Sequence, residues 1–103
     1  MSRMDQLLKL HDADPADADV PYMIAQEHAK AGAHDEALAW YDRCLAQAAS
    51  YHYAYFHKAR SQEAGDDNAG AAETLREGLE VATRDRNVKA MSEIESYLGE
   101  LIG

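Results

Sequence analysis

The chain has one cysteine, two prolines and four lysines (Lys9, Lys30, Lys58, Lys89) in 103 residues. The single Cys44 excludes an internal disulfide and any zinc site built on cysteines. No apolar run approaches the length of a membrane span, and Met1–His11 is too polar for a signal peptide, so a cytoplasmic protein is expected. No segment alternates β-branched and polar residues as a strand would, which leaves no strand for a phosphate-binding glycine loop or a nucleophile elbow to follow. Basic charge is scarce as well: the net charge is −9. Nucleic acid and anionic membrane would be repelled, and a basic peptide or protein surface would be favoured. The same aspartate-rich, lysine-poor balance also suits a salt-adapted source.

What is present is alanine, helix formers and helical periodicity. Val20–Ala49 carries two apolar stripes: Val20, Ile24, Ala25, His28 and Ala29, then Ala37, Leu38, Tyr41, Cys44, Leu45 and Ala48. Gly32 separates them and supplies a left-handed turn, so the two helices fold back and cover each other's apolar faces. On this stripe Cys44 reads as a small core residue. Met4, Leu7, Leu8 and Leu10 predict an earlier short helix ending near Asp12. Pro15 and the aspartates of 11–19 then make a turn, and Asp19 is expected to cap the next helix with Pro21 in its first turn. The pattern restarts at Tyr51, with a helix ended by Gly65, a turn capped by Asp67 or Asn68, and a helix striped by Ala71, Leu75, Leu79 and Ala82. A last helix over 87–102 has Val88, Met91, Ile94, Leu98 and Leu101 on its apolar side. Surface ion pairs are expected within helix five, Glu73 with Arg76 and Glu80 with Arg84.

A shift of 34 residues takes Tyr22 to Phe56, Ala25 to Ala59, Ala37 to Ala71, Tyr41 to Leu75, Leu45 to Leu79 and Ala48 to Ala82. Small residues recur where helices approach closely, and large ones where they fill the gap. With Gly32 at the turn, Pro15 before a repeat, and Ala59, Ala71, Gly78 and Leu79 in the second copy, this period resembles the tetratricopeptide repeat, over almost the whole chain. Pro21 stands where that family usually has a large residue, His28 and Gln62 where it has tyrosine, and Lys58 where it has an aliphatic side chain. Small bacterial members have a similar G-L-E-V-A tail followed by a terminal helix.

The resemblance implies an all-α superhelix of about six helices: a partial repeat helix (2–12), repeats at 18–49 and 51–84, and a capping helix (87–102). It also implies a non-enzymatic, protein-binding module, which grips a segment in a concave groove lined by the first helix of each pair. Here that groove is expected to present Tyr22, Met23, Gln26 and Lys30, then Tyr53, Phe56, His57 and Arg60, extended by Asn87, Met91 and Ile94. A family subtype clamps a C-terminal carboxylate with a Lys/Asn/Asn/Lys/Arg set. The corresponding positions carry Tyr22, Gln26, His57, Asn87 and Met91, so that subtype is not expected. A competing reading has the chain self-associate as a scaffold through its terminal helices, using Met4, Leu7, Leu8, Tyr97 and Ile102. The histidines (His11, His28, His34, His52, His57) form no i, i+4 pair, and Ser50, Ser61, Ser92 and Ser96 lie in helices or turns. No metal, cofactor or catalytic residue is expected.

Overall fold

A computed structural model describes residues 1–103 as six helices and no strand: α1 (Arg3–Ala13), α2 (Asp19–Lys30), α3 (His34–Gln47), α4 (His52–Ala64), α5 (Asn68–Arg84) and α6 (Val88–Ile102). Each helix packs on its neighbours in sequence, and α4 also touches α2 on one side and α6 on the other, forming the inner layer of a short helical repeat superhelix. The particle is elongated, 43 × 29 × 17 Å. No helix is long and apolar enough to cross a membrane.

Local chemistry sets the boundaries. Ser2 and Asp5 close a capping box over the start of α1. Asp19 does not cap α2: the N-cap is Ala18, without a side-chain cap, and the carboxylate of Asp17 just before it accepts from the Asp19 N–H at 3.0 Å. Asp19 is drawn away because its own carboxylate accepts from the Tyr51 hydroxyl at 2.8 Å, tying α2 to the next repeat.

Three turns share one geometry. Gly32 (φ 77°), Asp66 (φ 64°) and Arg86 (φ 56°) are left-handed. The following residue in each case sends its N–H back five positions: Ala33 to His28, Asp67 to Gln62, and Asn87 to Ala82. The helix α4 therefore does not reverse on its glycine. Gly65 has φ −89°, and the left-handed residue is Asp66, one full period after Gly32. The joint from α3 to α4 differs, passing through an extended Ala48 (φ −145°).

The interior divides into three clusters along the chain. Leu7, Val20 and Ile24 join α1 to α2. Ala25, Ala37, Tyr41, Cys44 and Ala54 fill the first repeat and its contact with α4. Ala59, Ala71, Leu75, Ala82, Ala90 and Ile94 fill the second repeat and the cap. Ala25 and Ala59, and Ala37 and Ala71, pairs related by the repeat, are completely buried, as close helix crossings require, whereas Ala48, the partner of buried Ala82, is only half-buried. Gly78 belongs with them: a Cβ there would lie 2.7 Å from the Tyr55 Cβ. Buried hydroxyls are paired, Thr74 donating to Gln62 at 2.7 Å and Ser61 lying 3.3 Å from the His34 ring.

Several expected apolar positions face water. Leu8 and Leu10 are exposed because α1 packs mainly on α2 and can bury one narrow stripe, Leu7 with part of Met4. Val88 is 73% exposed, since α6 turns Ala90 and Ile94 inward instead. The expected pairs within α5 do not form either. The close ion pairs of lysine and arginine that cross between helices are Arg3 with Glu27 (2.6 Å) and Lys58 with Asp42 (2.8 Å). Lys58, at a position usually aliphatic, thus lays its stem over α3 and delivers its charge to the surface.

Candidate functional site

The inner helices α2, α4 and α6 present one continuous face, and α4 stands in its middle. Tyr22 is half-buried at the centre of an aromatic group, its ring 4.8 Å from Tyr51, 5.8 Å from His57 and 6.0 Å from Tyr41. Its hydroxyl accepts from the Gln26 amide at 3.2 Å, which fixes Gln26 along the face. Burial above all raises the Tyr22 phenol above its ordinary value, so it stays a neutral hydrogen-bonding group.

Beside this group a cavity of about 440 Å³ opens between α2 and α4, and Gln26, Lys30, His34, His57 and Arg60 line it. No carboxylate does. A second cavity of about 630 Å³ lies between α4 and α6, lined by Phe56, Arg60, Glu63, Ser92, Glu93, Ser96, Tyr97 and Glu100. Here carboxylates dominate, with Arg60 as the one cation. The concave face therefore carries opposite charges on its two sides, in a chain whose net charge is −9. Arg60 lines both cavities and forms no ion pair. Tyr53, 42% exposed, borders a narrow cleft with Phe56, Ala90 and Glu93.

Seven of the expected groove residues thus lie together: Tyr22, Gln26, Lys30, Tyr53, Phe56, His57 and Arg60. Four do not join them. Met23 packs against the Leu7–Val20–Ile24 cluster, with the Arg3 guanidinium 4.0 Å from its sulfur, and so belongs to the α1 joint. Asn87 is the N-cap of α6, accepting from the Ala90 N–H at 3.0 Å and holding the His52 ring at 3.2 Å. Met91 packs against the third core cluster, as buried Ile94 does.

The reason is a change of register. The helix α5 runs 17 residues against 14 for α3, and the Asp85–Arg86–Asn87 reversal then starts α6 two residues later than a 34-residue period would. At a spacing of 36, Phe56, His57 and Arg60 correspond to Ser92, Glu93 and Ser96, all of which line the larger cavity. The signal for this was present in Asn87 itself, a residue type that belongs before a helix rather than on its face.

The histidines have separate tasks. His52 bonds Asp85 at 2.9 Å, and hydrogen bonds from Ser50 and His52 hold the Asp85 carboxyl below its usual range, locking the joint between α4 and the α5–α6 turn. His11 meets the edge of Trp40, whose face carries Arg43 at 4.2 Å. Cys44 is buried, and desolvation pushes its thiol up to about 12. Ser61 beside His34 has 3% exposure and acts as a packing tie.

Burial and the nearby Arg60 lower His57 below the ordinary imidazole value of 6.5. Its unfolded state binds protons more readily than its folded state, so stability rises with pH through the window below about pH 6.5. His57→Gln should flatten that slope, measured by urea unfolding at pH 5.0 to 7.5, and an unchanged slope would exclude His57 as its source.

No protein-family model and no curated protein matches the chain. Among solved structures, the solution NMR structure of a tetratricopeptide repeat domain protein from Salinibacter ruber is 30% identical, with a TM-score of 0.80 over 87% of this chain and 91% of that one. A crystal structure of a tetratricopeptide repeat domain protein from the same organism is 29% identical, with a TM-score of 0.74 over 84% and 98%. The TPR2B domain of yeast Sti1, in complex with pHsp70, has a TM-score of 0.87 over 95% and 78%, and at 23% identity speaks to the fold alone.

Proposed function

Since the chain belongs to the tetratricopeptide repeat family, we propose that it is a non-enzymatic interaction module that takes a peptide or protein segment on the face formed by α2, α4 and α6. One observation carries this reading: two open cavities lie side by side on that face, with exposed Tyr53 beside them and Arg60, free of any ion pair, shared between them. Aromatic rings and an arginine at the centre of a concave surface are the side chains that supply binding energy at interfaces. The yeast neighbour of the same fold is seen bound to pHsp70. The groove assigned here is Tyr22, Gln26, Lys30, Tyr53, Phe56, His57 and Arg60. The division that goes with it places repeats at 18–49 and 51–84, a half-unit at 2–12 and a cap at 87–102, in a cytoplasmic protein.

Tyr53→Ala with Arg60→Ala tests the groove, because both side chains are exposed and their removal costs little stability. The double variant should melt within about 3 °C of wild type while losing the protein that wild type captures from lysate. A larger drop in melting temperature would mean that these side chains hold the fold together. A second reading, self-association, has its own support in the uncovered Leu8, Leu10 and Ile102 of the terminal helices. Light scattering at a multiple of 11.4 kDa, unchanged in the double variant, would favour it over the groove.

A further inference from the structure

We propose that the cavity between α4 and α6 receives a lysine or arginine side chain of the bound segment. The inference rests on the groove reading and says which residue type one end of the groove selects. The cavity, about 630 Å³, is large enough for a long side chain with its hydration. Its wall includes the rings of Phe56 and Tyr97, 5.1 Å apart and inclined at 55°, against which an alkyl stem or a guanidinium plane can lie. Around the rings stand Glu63, Glu93 and Glu100, and none of them has an ion-pair partner. The Tyr97 hydroxyl donates to Glu63 at 2.6 Å and holds that carboxylate against the cavity wall. Burial and Glu63 keep the phenol protonated, so the donor persists.

An aromatic wall with several unneutralised carboxylates attracts a cation carried on an apolar stem. An acidic side chain would be repelled there, and an aliphatic one would leave the carboxylates uncompensated. Arg60 sets direction along the face. It stands at the border with the α2–α4 cavity, which carries Lys30 and no carboxylate, so a second basic residue on that side is disfavoured. The bound segment therefore runs with its basic residue toward α6.

Two measurements test this. The first is a titration of labelled protein with butylguanidinium and with neutral butylurea, followed by NMR at the Phe56, Ser92 and Ser96 amides. Saturable shifts with butylguanidinium alone, lost in Glu93→Gln/Glu100→Gln, support the subsite. Equal responses to both compounds, or shifts that survive in the double variant, overturn it. The second is selection of a random heptapeptide library on wild-type protein. Enriched peptides should share one lysine or arginine, whose replacement by norleucine weakens binding about tenfold to wild type and less than about twofold to the double variant. Enriched peptides without a shared basic residue overturn the subsite but leave the groove standing. A library that yields no binder overturns the groove reading itself.

Discussion

Tyr41→Ala is expected to cost about 4 kcal/mol of unfolding free energy and about 20 °C in melting temperature, the largest effect of any single truncation in this chain. Tyr41 is 1% exposed, among the largest fully buried side chains, and the other buried members of its cluster are small: Ala25, Ala37, Cys44 and Ala54. Alanines have no side-chain freedom with which to collapse into the vacancy, so the cost lies toward the upper end for an aromatic truncation. The ring also makes an edge contact with Tyr22 at 6.0 Å, so its loss disturbs the aromatic group at the concave face. Tyr41→Phe keeps the ring and should stay within about 1 kcal/mol of wild type. Guanidinium unfolding of the three proteins measures both differences. A loss below about 2 kcal/mol for Tyr41→Ala would mean that the first repeat is packed more loosely than described here.

Gly78→Leu should cost about 3 kcal/mol, for the opposite reason. The first side-chain carbon added at Gly78 would meet the Tyr55 Cβ at 2.7 Å and Cγ at 2.9 Å, with the Ile94 Cδ1 at 3.4 Å on the other side. A Cβ cannot swing aside as the end of a lysine would, and the Tyr55 ring is anchored by its hydroxyl donating to the Ala49 carbonyl at 3.0 Å. The backbones of α4 and α5 must therefore part. Gly78→Ala weighs this clash against a helix-propensity gain of about 1 kcal/mol, and the clash should win. Gly99, in α6, is the control: an added Cβ there meets nothing within 4 Å, so Gly99→Ala should stabilise. If Gly78→Ala proved as stabilising as Gly99→Ala, the close crossing of α4 and α5 would be refuted.

Gly78 also shows what the sequence could reveal. It stands in a helix interior with no conformational need for glycine, and only the repeat assigns it a crossing point. The same period marked Ala25, Ala37, Ala59 and Ala71 as sites of close approach, because a two-helix unit leaves no room there for anything larger. It also placed the left-handed reversal at position 66, one period after Gly32. The visible glycine at 65 drew attention instead, although an aspartate tolerates the left-handed region at modest cost. Long-range pairings were not legible. The bonds from Tyr51 to Asp19 and from His52 to Asp85 join residues 32 and 33 positions apart, and no local pattern predicts them.

The concave face was half legible for a related reason. Its α2 and α4 residues follow the repeat, so their positions could be transferred from one copy to the next. The α6 residues do not, since the added length of α5 moves the last helix by two positions. Net charge gave a misleading summary of the surface as well. A total of −9 averages over a groove whose α2 side carries Lys30 and Arg60 without a carboxylate. Only the folded arrangement separates that side from the one lined by Glu63, Glu93 and Glu100.

The three core clusters, strung from one end of the chain to the other, bear on how the molecule breathes. The helix α1 packs mainly on α2, through Leu7 and its few neighbours, with His11 also against Trp40 of α3, while α4 and α5 are held from both sides. Opening α1 exposes one small cluster and leaves the other two intact, so its amides exchange with solvent through local fraying. The amides of α4 and α5 exchange only when most of the chain comes apart. The concave face rests on the slow-exchanging middle, and its edge at Met23 on the part that opens first.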